Sequence, residues 1–141
     1  MVLGQYFNWQ GIKIFWSTLL LNRAFFVPHV RAQTPALINY KKLHESGIRH
    51  IVFDKDNTLT APYVREYFSS DIEDAILKEC KEVFGEANVA ILSNSAGSKD
   101  DKDHAEAKII EEILRLPVIR HELKKPAVHG DIMKHFKAKE E

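Results

Sequence analysis

Residues 48–60 read IRHIVFDKDNTLT, an apolar run that ends in two carboxylates, Asp54 and Asp56, separated by one residue. Charge at the end of a buried strand is costly unless hydrogen bonds or a metal compensate it, so this stretch bears on both the fold and the chemistry. IRHIVF reads as a buried strand. SSDIEDAILKECKEVFG, residues 69–85, then reads as a helix with Ser70 and Glu73 as a capping box, an apolar stripe of Ile72, Ile76, Cys80 and Val83, and Gly85 as its stop. NVAILS (88–93) is a second strand, residues 101–116 a second helix ended by Pro117, PVIR (117–120) a short third strand, and residues 124–141 the start of another helix. Strands alternating with helices predict parallel pairing and right-handed crossovers in an α/β layer fold.

The chain has 141 residues, about one domain. Its 45% hydrophobic content suffices for a core and excludes a disordered chain. A net charge of zero hides an asymmetry. All 20 acidic residues lie from Glu45 onward, whereas Lys13, Arg23, Arg31, Lys41 and Lys42 precede it. A single Cys80 excludes an internal disulfide framework and a Cys-rich zinc site, and its place on the helical stripe makes it an inert core residue. The seven histidines stand outside any HExxH or CxxC context. Residues 45–141 have no basic stripe, which argues against nucleic-acid binding, and no GxxxxGK occurs for a nucleotide kinase.

Residues 1–44 form a basic, aromatic N-terminal arm, and residues 45–141 the core. The arm's longest apolar piece, Ile14 to Leu21, is too short to span a bilayer, which takes about 20 residues. Phe15, Trp16, Phe25 and Phe26 with basic neighbours suit a helix lying in an anionic membrane interface, hence peripheral membrane association. An organellar transit peptide and an arm packed over the domain's own core are the alternatives.

In open α/β sheets, ligands bind at the carboxyl ends of the strands. Asp54, Ser93 and Lys125 fall at or just after the ends of the three predicted strands, so they should converge. Together they suit phosphate handling: a carboxylate nucleophile, a hydroxyl with backbone amides to hold phosphoryl oxygens, and an ammonium to neutralise charge. A magnesium ion would make the paired carboxylates tolerable. An EF-hand loop is excluded, because Leu59 stands where that loop needs Gly and Arg65 where it needs Glu. A plain Asp- and Asn-containing turn is the functionless alternative.

Three stretches in order, DKDNT at 54–58, ILSNSAG at 91–97 and KKP at 124–126, resemble the first three motifs of the haloacid dehalogenase superfamily. More narrowly, DKDNTLT, SNSAG with its acidic loop, and VIRHELKKP resemble the mitochondrial phosphatidylglycerophosphate phosphatases and their plant and bacterial relatives. The resemblance runs from about residue 48 to about residue 128, and LGQYFNWQGI and PHV in the arm agree with it. It implies a three-layer, Rossmann-like core with a parallel sheet and a magnesium-dependent phosphatase acting on phosphatidylglycerophosphate in cardiolipin biosynthesis. The location it implies is the matrix side of the mitochondrial inner membrane, with a plastid or a bacterial cytoplasm as alternatives.

The resemblance also assigns roles. Asp54 is the nucleophile and a metal ligand. Asp56 is the proton shuttle and gives its backbone carbonyl to the metal. Ser93 and Asn94 hold phosphate, Lys125 stabilises the transferring charge with Lys124 as its neighbour candidate, and Asn57 and Thr58 are supporting hydrogen-bonders. The motif spacings leave no room for an inserted cap domain, so the site should be open, as suits a phosphate presented on a lipid surface.

Relatives continue past the motif lysine to a further strand with a GDR- or GDQ-type motif that completes the metal site. Asp131 falls in a predicted helix and reads as a surface residue rather than its replacement. The expectation is therefore a core lacking its C-terminal strands, with the Asp54 strand as an open edge available for self-association. The alternatives in function are a non-catalytic relative that binds membrane or phosphate, and a phosphatase for another phosphomonoester.

Overall fold

In the computed structural model, residues 9–21, 27–123, 125 and 127–140 are described. Strand β1 (Ile51–Asp54) pairs in parallel with β2 (Val89–Leu92), in a register that sets Ile51 opposite Val89 and Asp54 opposite Leu92. All four β2 residues are buried. Val89 and Ile91 point into one apolar cluster and Ala90 and Leu92 into another, so both faces of the sheet are covered and the fold is a mixed α/β arrangement in three layers.

The predicted third strand shrinks to one bridge. Val118 pairs with Ile91 through two 2.8 Å bonds, from the Ile91 N–H to the Pro117 carbonyl and from the Ile119 N–H to the Ile91 carbonyl. Pro117 has no N–H with which to extend the ladder. Beyond the bridge, the Arg120 guanidinium folds back onto the Val118 carbonyl at 2.6 Å. Among the described residues, β1 has no strand on its outer side.

One face of the sheet carries two helices. Residues 70–84 form a continuous helix, α3, α-helical over Ser70–Asp74 and Lys81–Phe84 and π-helical over Ala75–Cys80. The wider π turn keeps Ile72, Ile76, Cys80 and Phe84, each four residues apart, on one buried face. Phe84 thus takes the place predicted for Val83, which is half-buried. The cap is also shifted: the hydroxyl of Ser69, not Ser70, accepts the Ile72 N–H at 3.4 Å. Gly85 ends the helix at φ +80°, as its position predicts. Burial pushes the Cys80 thiol up to about 12, so it stays a neutral core residue.

Helix α4 (Ala105–Leu114) begins later than predicted because Asp103 and His104 adopt left-handed conformations, φ 54° and 52°. On the opposite face lies α5 (His129–Glu140), whose Ile132 and Phe136 pack against Ala90, Leu92 and Ile119.

Two pieces of the N-terminal region behave differently. Helix α2 (Tyr40–Glu45) joins the core through Tyr40, which is buried edge-to-face on Phe53 with ring centroids 6.4 Å apart. Helix α1 (Trp9–Leu21) exposes Phe15, Trp16, Leu20 and Leu21. Among the described residues, no helix is long and apolar enough to cross a membrane.

Ile91 is fully buried between β1 and Val118. Ile91→Ala should lower unfolding free energy in urea by about 2–5 kcal/mol, since the strand backbone cannot collapse into the cavity left behind.

Candidate functional site

The turn after β1 is built on one carbonyl. The Lys55 C=O accepts the N–H groups of Thr58, Leu59 and Thr60 at 3.3, 2.9 and 3.1 Å, and fully buried Leu59 anchors the turn in the core. Asn57 sits at φ +61°, a left-handed conformation that Asn tolerates, and its N–H reaches the Thr60 carbonyl at 2.8 Å. Lys55 is only 3% exposed. Its ammonium donates to Thr60 Oγ1 at 3.0 Å and the Val64 carbonyl at 2.9 Å, and pairs with Asp56 at 2.6 Å. A buried lysine is rare, and in sequence only its position between two aspartates marks it. It holds Asp56 and the start of the 61–68 loop in one place.

Asp54, at the carboxyl end of β1, carries a half-exposed carboxylate that pairs with Lys125 Nζ. The Lys125 backbone N–H donates to Asn94 Oδ1 at 3.2 Å, so the lysine is fixed at both ends of its own residue. The register places Ser93 just past Leu92, at the same end of the sheet as Asp54. Its hydroxyl is buried, accepts the Ser95 and Ala96 amides at 3.3 Å each, and lies 3.1 Å from Ser95 Oγ. The structure therefore brings Lys125 into direct contact with both Asp54 and Asn94 and sets Ser93 in the loop that carries Asn94. Asp56 faces Lys55, while Asn57 and Thr58 line an adjoining groove. Lys124 and Pro126 lie outside the described residues.

Three further residues, which sequence reasoning did not single out, hold the loops. His121 is buried, with Nε2 at 2.7 Å from the Ser93 carbonyl and Nδ1 at 2.6 Å from the Leu123 carbonyl. It clasps the serine loop to the lysine loop. A neutral ring donates to one of these carbonyls and a protonated ring to both. Gly97, at φ +76°, lies so close to the third segment that a Cβ would stand 2.6 Å from the Ile119 carbonyl, which only glycine avoids.

Asp101 is the third. It accepts the N–H groups of Gly97 at 2.8 Å, Glu106 at 2.9 Å and Ala107 at 3.0 Å, tying the serine loop to the start of α4. Burial alone would raise its carboxyl, but the three amide bonds and His104 outweigh it and hold the carboxyl below its usual range.

These observations define an α/β protein whose sequence motifs meet at the carboxyl end of a parallel sheet. The chain belongs to the mitochondrial PGP phosphatase family, whose model matches residues 10–141. It is 40% identical over 136 residues to phosphatidylglycerophosphate phosphatase 1, chloroplastic/mitochondrial, of Arabidopsis thaliana, covering 95% of this chain and 38% of the relative. The chloroplastic phosphatidylglycerophosphate phosphatase 1 of Chlamydomonas reinhardtii is 37% identical over 123 residues, 86% of this chain and 45% of the relative. A mitochondrial phosphatidylglycerophosphatase of Saccharomyces cerevisiae is 33% identical over 94 residues, 67% of this chain and 49% of the relative. The chain thus spans less than half the length of each of these three relatives. No solved structure matches it.

Because the folded-state pKa of Asp101 is depressed, its stabilising contribution is present above the ordinary carboxylate range, near pH 4. That contribution is lost as pH falls through the lower folded value. Asp101→Asn should destabilise the protein at pH 7 and flatten the acid limb of its stability curve, measured by urea unfolding from pH 7 down to pH 3.

Proposed function

We propose that this chain is the catalytic core of a phosphatase that hydrolyses phosphatidylglycerophosphate to phosphatidylglycerol through an aspartyl phosphate on Asp54. The observation that carries the reading is the pairing of the Asp54 carboxylate with Lys125 at the carboxyl end of the sheet, with Asn94 fixing the lysine's backbone. Asp54 attacks phosphorus and Lys125 meets the charge that develops on the phosphoryl oxygens. Ser93 accepts two amide bonds and keeps one proton to give to a phosphoryl oxygen, with Asn94 beside it. Asp56, held in place by Lys55, is the proton shuttle: in its protonated form it protonates the departing alkoxide, and as the resulting carboxylate it takes a proton from the water that cleaves the aspartyl phosphate. Asn57 and Thr58 shape the turn that carries both aspartates.

A magnesium ion fits this donor set. Among the described residues, no group of three or more acidic, histidine or cysteine side chains is placed to hold a metal. Magnesium, however, keeps several waters and needs only one or two carboxylates together with substrate phosphate. The Asp54 carboxylate and the Asp56 backbone carbonyl would hold it. It would supply charge neutralisation at the phosphate.

Two features support a lipid substrate. The intervals from Asp54 to Ser93 and from Ser93 to Lys125 each hold one long helix and no inserted domain, leaving Asp54 half-exposed for a phosphate presented on a surface. The exposed Phe15, Trp16, Leu20 and Leu21 of α1, on an arm without acidic residues, suit binding to an anionic membrane interface. The organelle names of the relatives support a mitochondrial or plastid setting, with the matrix side of the inner membrane as the place where such a substrate meets the arm.

The test is phosphate release from phosphatidylglycerophosphate in mixed micelles with and without magnesium. The expected result is magnesium-dependent release that Asp54→Asn reduces by at least about a thousandfold. Absence of release by the folded wild-type chain overturns the reading, and release that survives Asp54→Asn overturns the assigned nucleophile. Separately, the double substitution Phe15→Glu and Trp16→Glu should weaken binding to phosphatidylglycerol vesicles in flotation by at least about tenfold. Unchanged flotation would remove α1 from the interface.

A further inference from the structure

We propose that the groove beside the Asp54 turn holds the acyl-bearing glycerol of a phospholipid whose phosphomonoester lies at Asp54. The assignment rests on the lipid phosphatase reading above and adds a second, apolar subsite to it.

The groove has a volume of about 630 Å³, within the range of about 300–1,000 Å³ that small-molecule clefts occupy. Its lining comes from the 30–43 segment and from Phe68, Ser69 and Ile72 at the start of α3. Val30, Pro35, Ile38 and Leu43 make the first of these apolar. Asn57 and Thr58 of the Asp54 turn complete it.

Among the described residues, none of its lining side chains is charged, in a chain where 28% of residues are. A second cavity, of about 560 Å³, is lined instead by Lys99, Arg120, Glu122, Asp131 and Lys134. The neutral groove offers no counter-charge to an ion, so burying one there would be costly. An uncharged, largely apolar group gains by leaving water.

Position selects the occupant. Asn57 follows Asp54 by three residues, so the groove begins at most about 11 Å from the Asp54 backbone. Its lining includes Asn57 and Thr58 but not Asp54, Ser93 or Lys125, so it adjoins the phosphate site without containing it. A phospholipid with a terminal phosphomonoester has the same layout, since a polar headgroup separates its reactive phosphate from its acyl esters. The neutral polar side chains of Thr34, Asn57 and Thr58 suit those esters, and the apolar walls suit the first methylenes. Val30 and Phe68, 54% and 52% exposed, stand at the rim, where the rest of a long chain can continue into a micelle or bilayer.

The experiment compares kcat/KM for dibutyryl and dihexanoyl phosphatidylglycerophosphate, both below their micelle-forming concentrations so that no interface contributes. The two lipids differ by two methylenes in each chain, and with one chain seated in the groove the two that it buries, at about 0.8 kcal/mol each, should raise kcat/KM of the wild-type chain by about tenfold. Ala32→Trp, at an exposed position on the groove wall, fills the groove without overpacking the core, and Val30→Asp places a carboxylate at its rim. In both variants the dihexanoyl-to-dibutyryl ratio should fall to about twofold or less. The ratio cancels any general loss of activity, and melting temperature reports folding separately. A wild-type ratio near one, or variants that keep the wild-type ratio, overturns the groove assignment while leaving the lipid phosphatase reading intact. Hydrolysis of p-nitrophenyl phosphate without hydrolysis of either lipid overturns both.

Discussion

The parallel ladder between β1 and β2 is the constraint on which the rest of the structure depends. Setting Asp54 opposite Leu92 means that both chains leave the sheet at the same end, Asp54 in its turn and Ser93 in its loop. The ladder survives because both faces of β2 are buried, one under α3 and α4 and the other under α5. A slip of one residue would turn Ile91 toward the α5 face and carry Ser93 out of line with Asp54. The stability of the sheet and the geometry of the candidate site are therefore one requirement.

Around that end, the loops are held by buried polar groups. Lys55, His121 and Asp101 each replace water with two or more protein partners. Burying such groups is tolerable only when they are satisfied. Their partners are mostly backbone atoms of neighbouring loops, so each bond fixes a loop position as well as meeting a hydrogen-bond demand. The Asp54 carboxylate, by contrast, remains half-exposed and pairs with Lys125. A rigid frame around an accessible carboxylate suits a group that must meet substrate repeatedly.

The arm links this frame to a second kind of surface. Tyr40 is buried against Phe53, and its hydroxyl donates to the Pro35 carbonyl at 2.8 Å, which fastens the 35–45 segment to the core. That attachment places the groove lining of the 30–43 segment beside the Asp54 turn, while α1 carries its exposed aromatics separately. A charged site beside a neutral groove is a polarity matched by an amphipathic substrate.

Much was legible in the sequence because it depends on short-range pattern. The order of strands and helices, the Gly85 stop and the buried place of Cys80 follow from periodicity and capping chemistry, and parallel topology brings Asp54, Ser93 and Lys125 to one end of the sheet. Where the structure departs from the sequence pattern, local hydrogen bonds decide some positions and packing decides others. Ser69 displaced Ser70 as cap, Phe84 displaced Val83 in the core, and Pro117 with Arg120 reduced a strand to a bridge. The burial of Lys55, the His121 clasp, the Asp101 tie and the groove against the 30–43 segment were decided by the tertiary structure alone. The His121 clasp and the groove join segments far apart in the chain, while the Lys55 and Asp101 contacts span fewer than ten residues but depend on how the loops fold back, and residue type and spacing encode neither.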